Sequence, residues 1–235
     1  MIDFSNKTIM VIVAHPDDEL LGLGGTINKL KTNYDCKIHV LILGEGITSR
    51  DDTRDLGKRE MELKKHHSNI ISAKKTLGYD SLSTYNFPDN RFDTVPILDI
   101  IKVIENEKRQ FDPEIVFTHH GGDLNIDHQI TFQAVLTSCR PMQNEKVNSI
   151  ISFETPSGTE WQSSNHPTQF IPNFFIEINQ THLDKKIEAM ECYEFEKRKF
   201  PHPRSPEALK TLASYRGIMV GKKYSEAFNI IRHIQ

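Results

Sequence analysis

The chain has 235 residues, with 29 Lys+Arg against 32 Asp+Glu, 11 His and 37% hydrophobic residues, enough for one large core without disulfide staples. The net charge of −3 leaves no electrostatic footprint for nucleic acid or an anionic membrane, and no apolar run reaches the ~18–20 residues of a membrane span. Cys36, Cys139 and Cys192 show no C-x-x-C spacing, and the opening MIDFSNKTIMVIVAH lacks a basic n-region and cleavage site. Both fit a cytoplasmic setting in which the thiols fill core space.

In chain order, TIMVIV (8–13) reads as a strand, 18–32 as a helix, and KIHVLIL (37–43) as a second strand. A helix over 51–78 follows, then strand STYNF (83–87), helix 94–110, strand EIVFT (114–118) and helix 126–138. SIISF (149–153) and NFFIEI (173–178) read as further strands, and 180–196 and 206–220 as helices. Near-continuous apolar runs such as TIMVIV suit strands covered on both faces. Strand-then-helix order predicts an α/β fold: a Rossmann-like, mostly parallel sheet with helices on both faces, as a single domain over 1–235. Within 51–78, Leu56, Arg59, Leu63, His66, Ile70, Ala73 and Leu77 recur at spacings of three and four, so Arg59 and His66 share an otherwise apolar face. The irregular stretch 154–173 is long for a compact domain, a mark of a functional or disordered loop.

The first strand exits into His15-Pro16-Asp17-Asp18-Glu19, where an open α/β sheet binds its ligands. Gly22, Gly24 and Gly25 come too late for a phosphate-cradling turn and read as sites of close helix packing. Acids at 17–19 also suit a helix N-terminus, but that explains neither His15 nor the second cluster, His119-His120-Gly121-Gly122-Asp123-Leu124-Asn125-Ile126-Asp127-His128. Two such strand-exit loops meeting at one sheet edge point to a metal. His15, Asp18 and His128 make a two-His, one-carboxylate set that suits catalytic zinc. The same ligands serve iron(II), though commonly on a different fold.

AHPDDELLGLGGTI, LGEGITSRD (43–51), FPDNRFD (87–93), THHGGDLNIDHQ (118–129) and HPRS (202–205) together resemble the PIG-L/LmbE-like family of metal-dependent N-deacetylases. The resemblance implies a Rossmann-like fold and hydrolysis of an N-acetyl group, generally on a glucosamine-type sugar or its conjugate. It places metal ligands at His15, Asp18 and His128 and the general base at Asp17, and it matches Asp127 to the acid before the metal His. Many relatives carry a His where this chain has Asn125, so the oxyanion donor is either Asn125 or a neighbour such as His119 or His120. Asp127 either orients a ligand or is a first-turn acid of its helix.

Sugar recognition is expected from Glu45, Arg50, Arg59, Asp89, Asn90, Arg91, His120, Trp161 and Arg204, with packing or turn formation as the alternative for Trp161 and Asn90. The arginines are either paired by nearby acids or bind an anionic group of the substrate. The expected cofactor is Zn2+, with Fe2+ or another divalent ion as alternatives, and a homo-oligomer is possible on the family pattern. Competing readings are another metal hydrolase, such as a phosphoesterase, and a non-catalytic glycan-binding module.

Overall fold

The computed structural model describes residues 2–235. Its elements are β1 (Thr8–Val13), α1 (Asp18–Tyr34), β2 (Lys37–Gly44), α2 (Glu60–Leu77), β3 (Ser81–Phe87), α3 (Ile97–Phe111) and β4 (Ile115–His119). They continue with α4 (Ile126–Ser138), β5 (Ser149–Phe153), β6 (Phe174–Glu177), α5 (Gln180–Cys192), α6 (Pro206–Ile218) and β7 (Ser225–His233). The sheet order is β3-β2-β1-β4-β5-β7-β6, with β1 parallel to both β2 and β4. Alternation along β1 sends Ile9, Val11 and Val13 into one core and Met10 and Ile12 into the other. The first core lies under α1, α2 and α5, and the second under α3 and α4. The sheet is thus buried on both faces, which is why its central strands carry so little polar residue.

Several boundaries differ from expectation, among them the start of the helix predicted over 94–110, which begins at Ile97. The helix predicted over 51–78 begins only at Glu60, because Asp51, Asp52, Thr53, Asp55 and Gly57 favour turns over helix interior, and Leu56 is exposed. The helix predicted over 180–196 ends at Cys192, and that over 206–220 ends at Ile218. SEAFNIIRH, read as no element in the sequence, forms β7 and runs antiparallel between β5 and β6. Cys36 and Cys139 are buried, Cys192 is half-buried, and all three are free thiols.

A buried ion pair braces the helix that carries the site. α1 breaks at Leu23, where φ is −146° and ψ is 27°, and backbone groups freed by such a break need partners. Glu226 of β7 accepts from Gly25 N (3.2 Å) and Thr26 N (2.6 Å), while Lys186 of α5 donates to Leu21 O (2.9 Å) and to Glu226 (2.6 Å). Gly22 lets α1 approach the sheet: a Cβ there would stand 2.2 Å from the Phe153 ring. Lys186→Met leaves a buried carboxylate uncompensated and should lower the free energy of urea unfolding by about 3 kcal/mol, with Glu226→Gln in the same chain recovering part of the loss.

His39 supplies a pH dependence on the far side of the sheet. It is buried against Glu107 (3.2 Å) and Ser81 (2.8 Å), and burial drives its pKa from 6.5 down to about 4 despite the Glu107 carboxylate. The unfolded imidazole therefore takes up a proton that the folded one refuses. Its contribution to stability is intact above about pH 6.5 and is lost as pH falls toward 4. A denaturation series in that window should show a shallower acid slope for His39→Gln than for the natural chain.

Candidate metal centre and catalytic cleft

Strand order reverses between β1 and β4: β2 and β3 lie on one side of β1, and β4 and β5 on the other. A crevice opens at such a switch point, beyond the carboxyl ends of the strands. The loops after β1 and β4 face each other across it, which sets His15 and Asp18 of one against His119, Asp123 and His128 of the other. Asp17 is the N-cap residue of α1, yet its side chain makes no capping bond. Its φ of 100° places a non-glycine residue in the left-handed region, a strain that clusters at functional sites.

His15, Asp18 and His128 each offer a ligand atom within 4.8 Å of the others, as do His15, Asp89 and Asp127. Hydrogen bonding separates the two sets. Asp127 accepts from Asn90 N (2.7 Å), Phe92 N (2.9 Å) and His15 Nε2 (2.9 Å), and Asp89 accepts from Ser49 N, Ser49 Oγ and Asn90 Nδ2. Their lone pairs are already engaged, so they act as supports. In the first set each imidazole has a carboxylate near its far nitrogen: Asp127 accepts from His15 Nε2 at 2.9 Å, and Asp123 pairs with His128 Nδ1 at 3.1 Å without hydrogen-bond geometry. That orients the two rings and turns His15 Nδ1 and His128 Nε2, 3.4 and 3.3 Å from Asp18 Oδ2, toward a common point. Carboxylate-backed histidines plus one acid suit a divalent transition metal. His119 does not join them, since its Nε2 accepts from Ala14 N at 2.9 Å; it stacks on the His128 ring at 3.8 Å and sets its plane.

The electrostatics agree with a cation site. Burial opposes charge on His15 and His128, but the facing carboxylates outweigh it, lifting His15 well above the ordinary imidazole value and His128 to about 9. Burial likewise raises the Asp17 carboxyl well above its usual range, against the pull of Arg204. Glu19 rises to about 7 through burial, although Tyr193 OH donates to it at 2.8 Å. Arg204 donates to Asp17 Oδ2 (2.8 Å), Glu196 Oε2 (2.7 Å) and Ser157 Oγ (2.7 Å), and Arg50 pairs with the other oxygen of Glu196.

The cleft is lined by His15, Asp17, Arg50, Asp89, Asn90, Asn125, His128 and Arg204 of the expected site residues. Asn125 caps α4 by accepting from Asp127 N (2.8 Å) and donates from Nδ2 to Asn90 Oδ1 (2.9 Å). Asp18 and Asp127 are buried behind this surface. Glu45, Arg59, Arg91, His120 and Trp161 do not line the cleft. Glu45 is held bidentately by Arg54, Arg59 is paired with Asp51 and Glu62, and His120 ties Thr168 O at 2.8 Å. Trp161 stands half exposed, edge-on to His202. Arg204, read as a sugar contact, lines the cleft and donates to Asp17. Sequence reasoning passed over Asp123, Ser49 and Glu196. Asp123 sits inside THHGGDLNIDHQ and Ser49 inside LGEGITSRD, so both were visible there, whereas Glu196 reaches the site only through the tertiary fold.

A family model described as PIG-L, GlcNAc-PI de-N-acetylase, matches residues 10–139, more than half of the chain. The chain is 28% identical over 189 residues to the uncharacterized deacetylase YaiS of Escherichia coli (strain K12), covering 78% of this chain and 89% of that protein. It is 26% identical over 238 residues to the diacetylchitobiose deacetylase of Thermococcus kodakarensis, covering 96% and 83%. Among solved structures, GalB, the 4-carboxy-2-hydroxymuconate hydratase of Pseudomonas putida KT2440, matches with a TM-score of 0.76 at 19% identity over 97% of this chain and 98% of that one. At that identity the likeness shows the fold alone.

Proposed function

The chain belongs to the PIG-L, GlcNAc-PI de-N-acetylase, family, and on that premise we propose that it is a zinc-dependent hydrolase that removes the N-acetyl group from an amino sugar or its conjugate. The observation that carries this reading is the convergence of His15, Asp18 and His128 within 4.8 Å at the switch point, with Asp17 beside them in the cleft. The named activities of the two deacetylase relatives supply the reaction class.

A zinc ion held by His15, Asp18 and His128 would supply positive charge to polarise the amide carbonyl and to lower the pKa of water to about 7. Asp17 takes the proton of the attacking water and passes it to the nitrogen as the C–N bond breaks, giving acetate and a free amine. Arg204 holds Asp17 Oδ2, which fixes the carboxylate plane and leaves Oδ1 for the proton. Asn125 has one amide hydrogen committed to Asn90; the second is available to the developing oxyanion, where such a donor contributes ~3 kcal/mol.

Phosphoester cleavage receives no support from the cleft, because the two arginines that line it are both paired with acids. The fold alone does not choose the reaction, since a hydratase shares it. Acetate release chooses. Zinc-loaded protein incubated with N-acetylglucosamine and di-N-acetylchitobiose should yield acetate and amine in equal amounts, stop with a chelator and resume with zinc. Persistent absence of acetate in the presence of zinc would remove the proposal.

A further inference from the structure

His66 is one of two non-apolar residues in the buried stripe of α2, which otherwise consists of Ile70, Ala73 and Leu77 beside Asn69. It is 2% exposed and lines the cleft, with Glu196, Arg50, Asp89 and His15 as its charged neighbours. Its ring meets Tyr193 and Phe195 edge-on, at 5.9 and 6.0 Å, contacts that a phenylalanine would make equally well. Yet neither Nδ1 nor Nε2 has a hydrogen-bond partner among the described residues, and a buried polar atom left unmet costs ~1–3 kcal/mol. Gly46 has a φ of +65°, and a Cβ there would stand 3.1 Å from both His66 Nε2 and Pro16.

The charges around it define what can approach. Glu196 takes both Arg50 and Arg204, and Arg204 also holds Asp17. The lining of the cleft therefore presents no unpaired arginine or lysine among the described residues, and its carboxylates Asp17 and Glu196 are themselves ion-paired. Ser49, Asp89 and Asn90 on the same wall are linked by hydrogen bonds to one another, a polar surface without net positive charge.

We infer that His66 is the hydroxyl-binding residue of a subsite for an uncharged ring, exchanging a hydrogen bond between its imidazole and a ring hydroxyl of the substrate. Burial holds the imidazole pKa down at about 4, so at neutral pH the ring has one N–H to give and one lone pair to receive, the complement of a hydroxyl. The inference rests on the deacetylase reading above and narrows it to neutral, hydroxylated amino sugars. Arg59 and Arg91 do not line the cleft, and Arg59 is paired with Asp51 and Glu62.

The test compares the natural chain, His66→Phe and His66→Gln, each zinc-loaded, on methyl N-acetylglucosaminide, its 3-, 4- and 6-deoxy analogues and its 6-phosphate. One deoxy analogue should lose ~10–100-fold in kcat/KM with the natural chain, mainly through KM. That loss should shrink to about 3-fold or less in His66→Phe, a non-additive cycle, with His66→Gln between the two. The phosphate ester should be at least ~10-fold poorer than the neutral glycoside, because the cleft lining offers its dianion no unpaired arginine or lysine to replace lost hydration. Equal use of all deoxy analogues by the natural chain overturns the inference even if His66→Phe fails to fold. An identical fractional loss on every substrate in the variants overturns it too, as does a preference for the phosphate ester. Acetate from none of these substrates would instead remove the deacetylase reading itself.

Discussion

His128→Ala is expected to abolish both bound metal and turnover while leaving the domain folded. His128 stands in the first turn of α4, with Asp18 at 3.3 Å on one nitrogen and Asp123 at 3.1 Å on the other. Alanine removes one of three donors and leaves Asp18 and Asp123 facing a gap, so the remaining pair cannot hold a divalent ion in a tetrahedral site with an open position. Turnover should fall by at least ~10³-fold, because both nucleophile activation and carbonyl polarisation depend on that ion. The two cores on either side of the sheet do not include His128, so circular dichroism should show a native spectrum. Elemental analysis that found full zinc occupancy in the variant would break the ligand assignment.

Asp17→Asn separates catalysis from ligation. The amide keeps the shape, and its oxygen still accepts from Arg204, which now donates to Asp17 Oδ2 at 2.8 Å. Metal content and KM should persist while kcat falls by ~10²–10⁴-fold, the ordinary worth of a positioned general base. Near-normal turnover would mean that the proton leaves by another group. The left-handed backbone at residue 17 would then serve only to turn the chain from β1 into α1.

Local sequence carries the alternation of strands and helices because each element announces itself within a window of a few residues. TIMVIV, short and β-branched, suits a strand buried on both faces, and β1 is that strand. The β7 segment escaped because SEAFNIIRH mixes polar and apolar residues without a clean period, and its place between β5 and β6 comes from pairing distant in the chain. The start of α2 was misplaced because the apolar stripe extends past the helix: Leu56 keeps the spacing, but the turn-forming acids around it prevail.

The candidate site was legible to the same degree. His15, Asp18 and His128 could be picked out as residues in two strand-exit loops, and the structure brings them together. Arg204 and Glu196 lie almost the whole chain away from Asp17, and no spacing rule relates them. Their linked ion pairs exist only once the C-terminal segment closes over the cleft. The arginines show the limit most clearly. From sequence Arg50, Arg59 and Arg204 could each pair with an acid or bind a ligand; all three find acidic partners in the fold, Arg59 within its own segment and the other two across the chain.

Anomalous diffraction from zinc-soaked crystals, recorded at the zinc absorption edge, tests the centre most directly. One peak is expected per chain, about 2.0–2.2 Å from His15 Nδ1, an Asp18 oxygen and His128 Nε2, with Asp17 unligated beside it. A peak seated instead on His15 Nε2, Asp89 and Asp127, or no ordered peak in the cleft, would contradict the account.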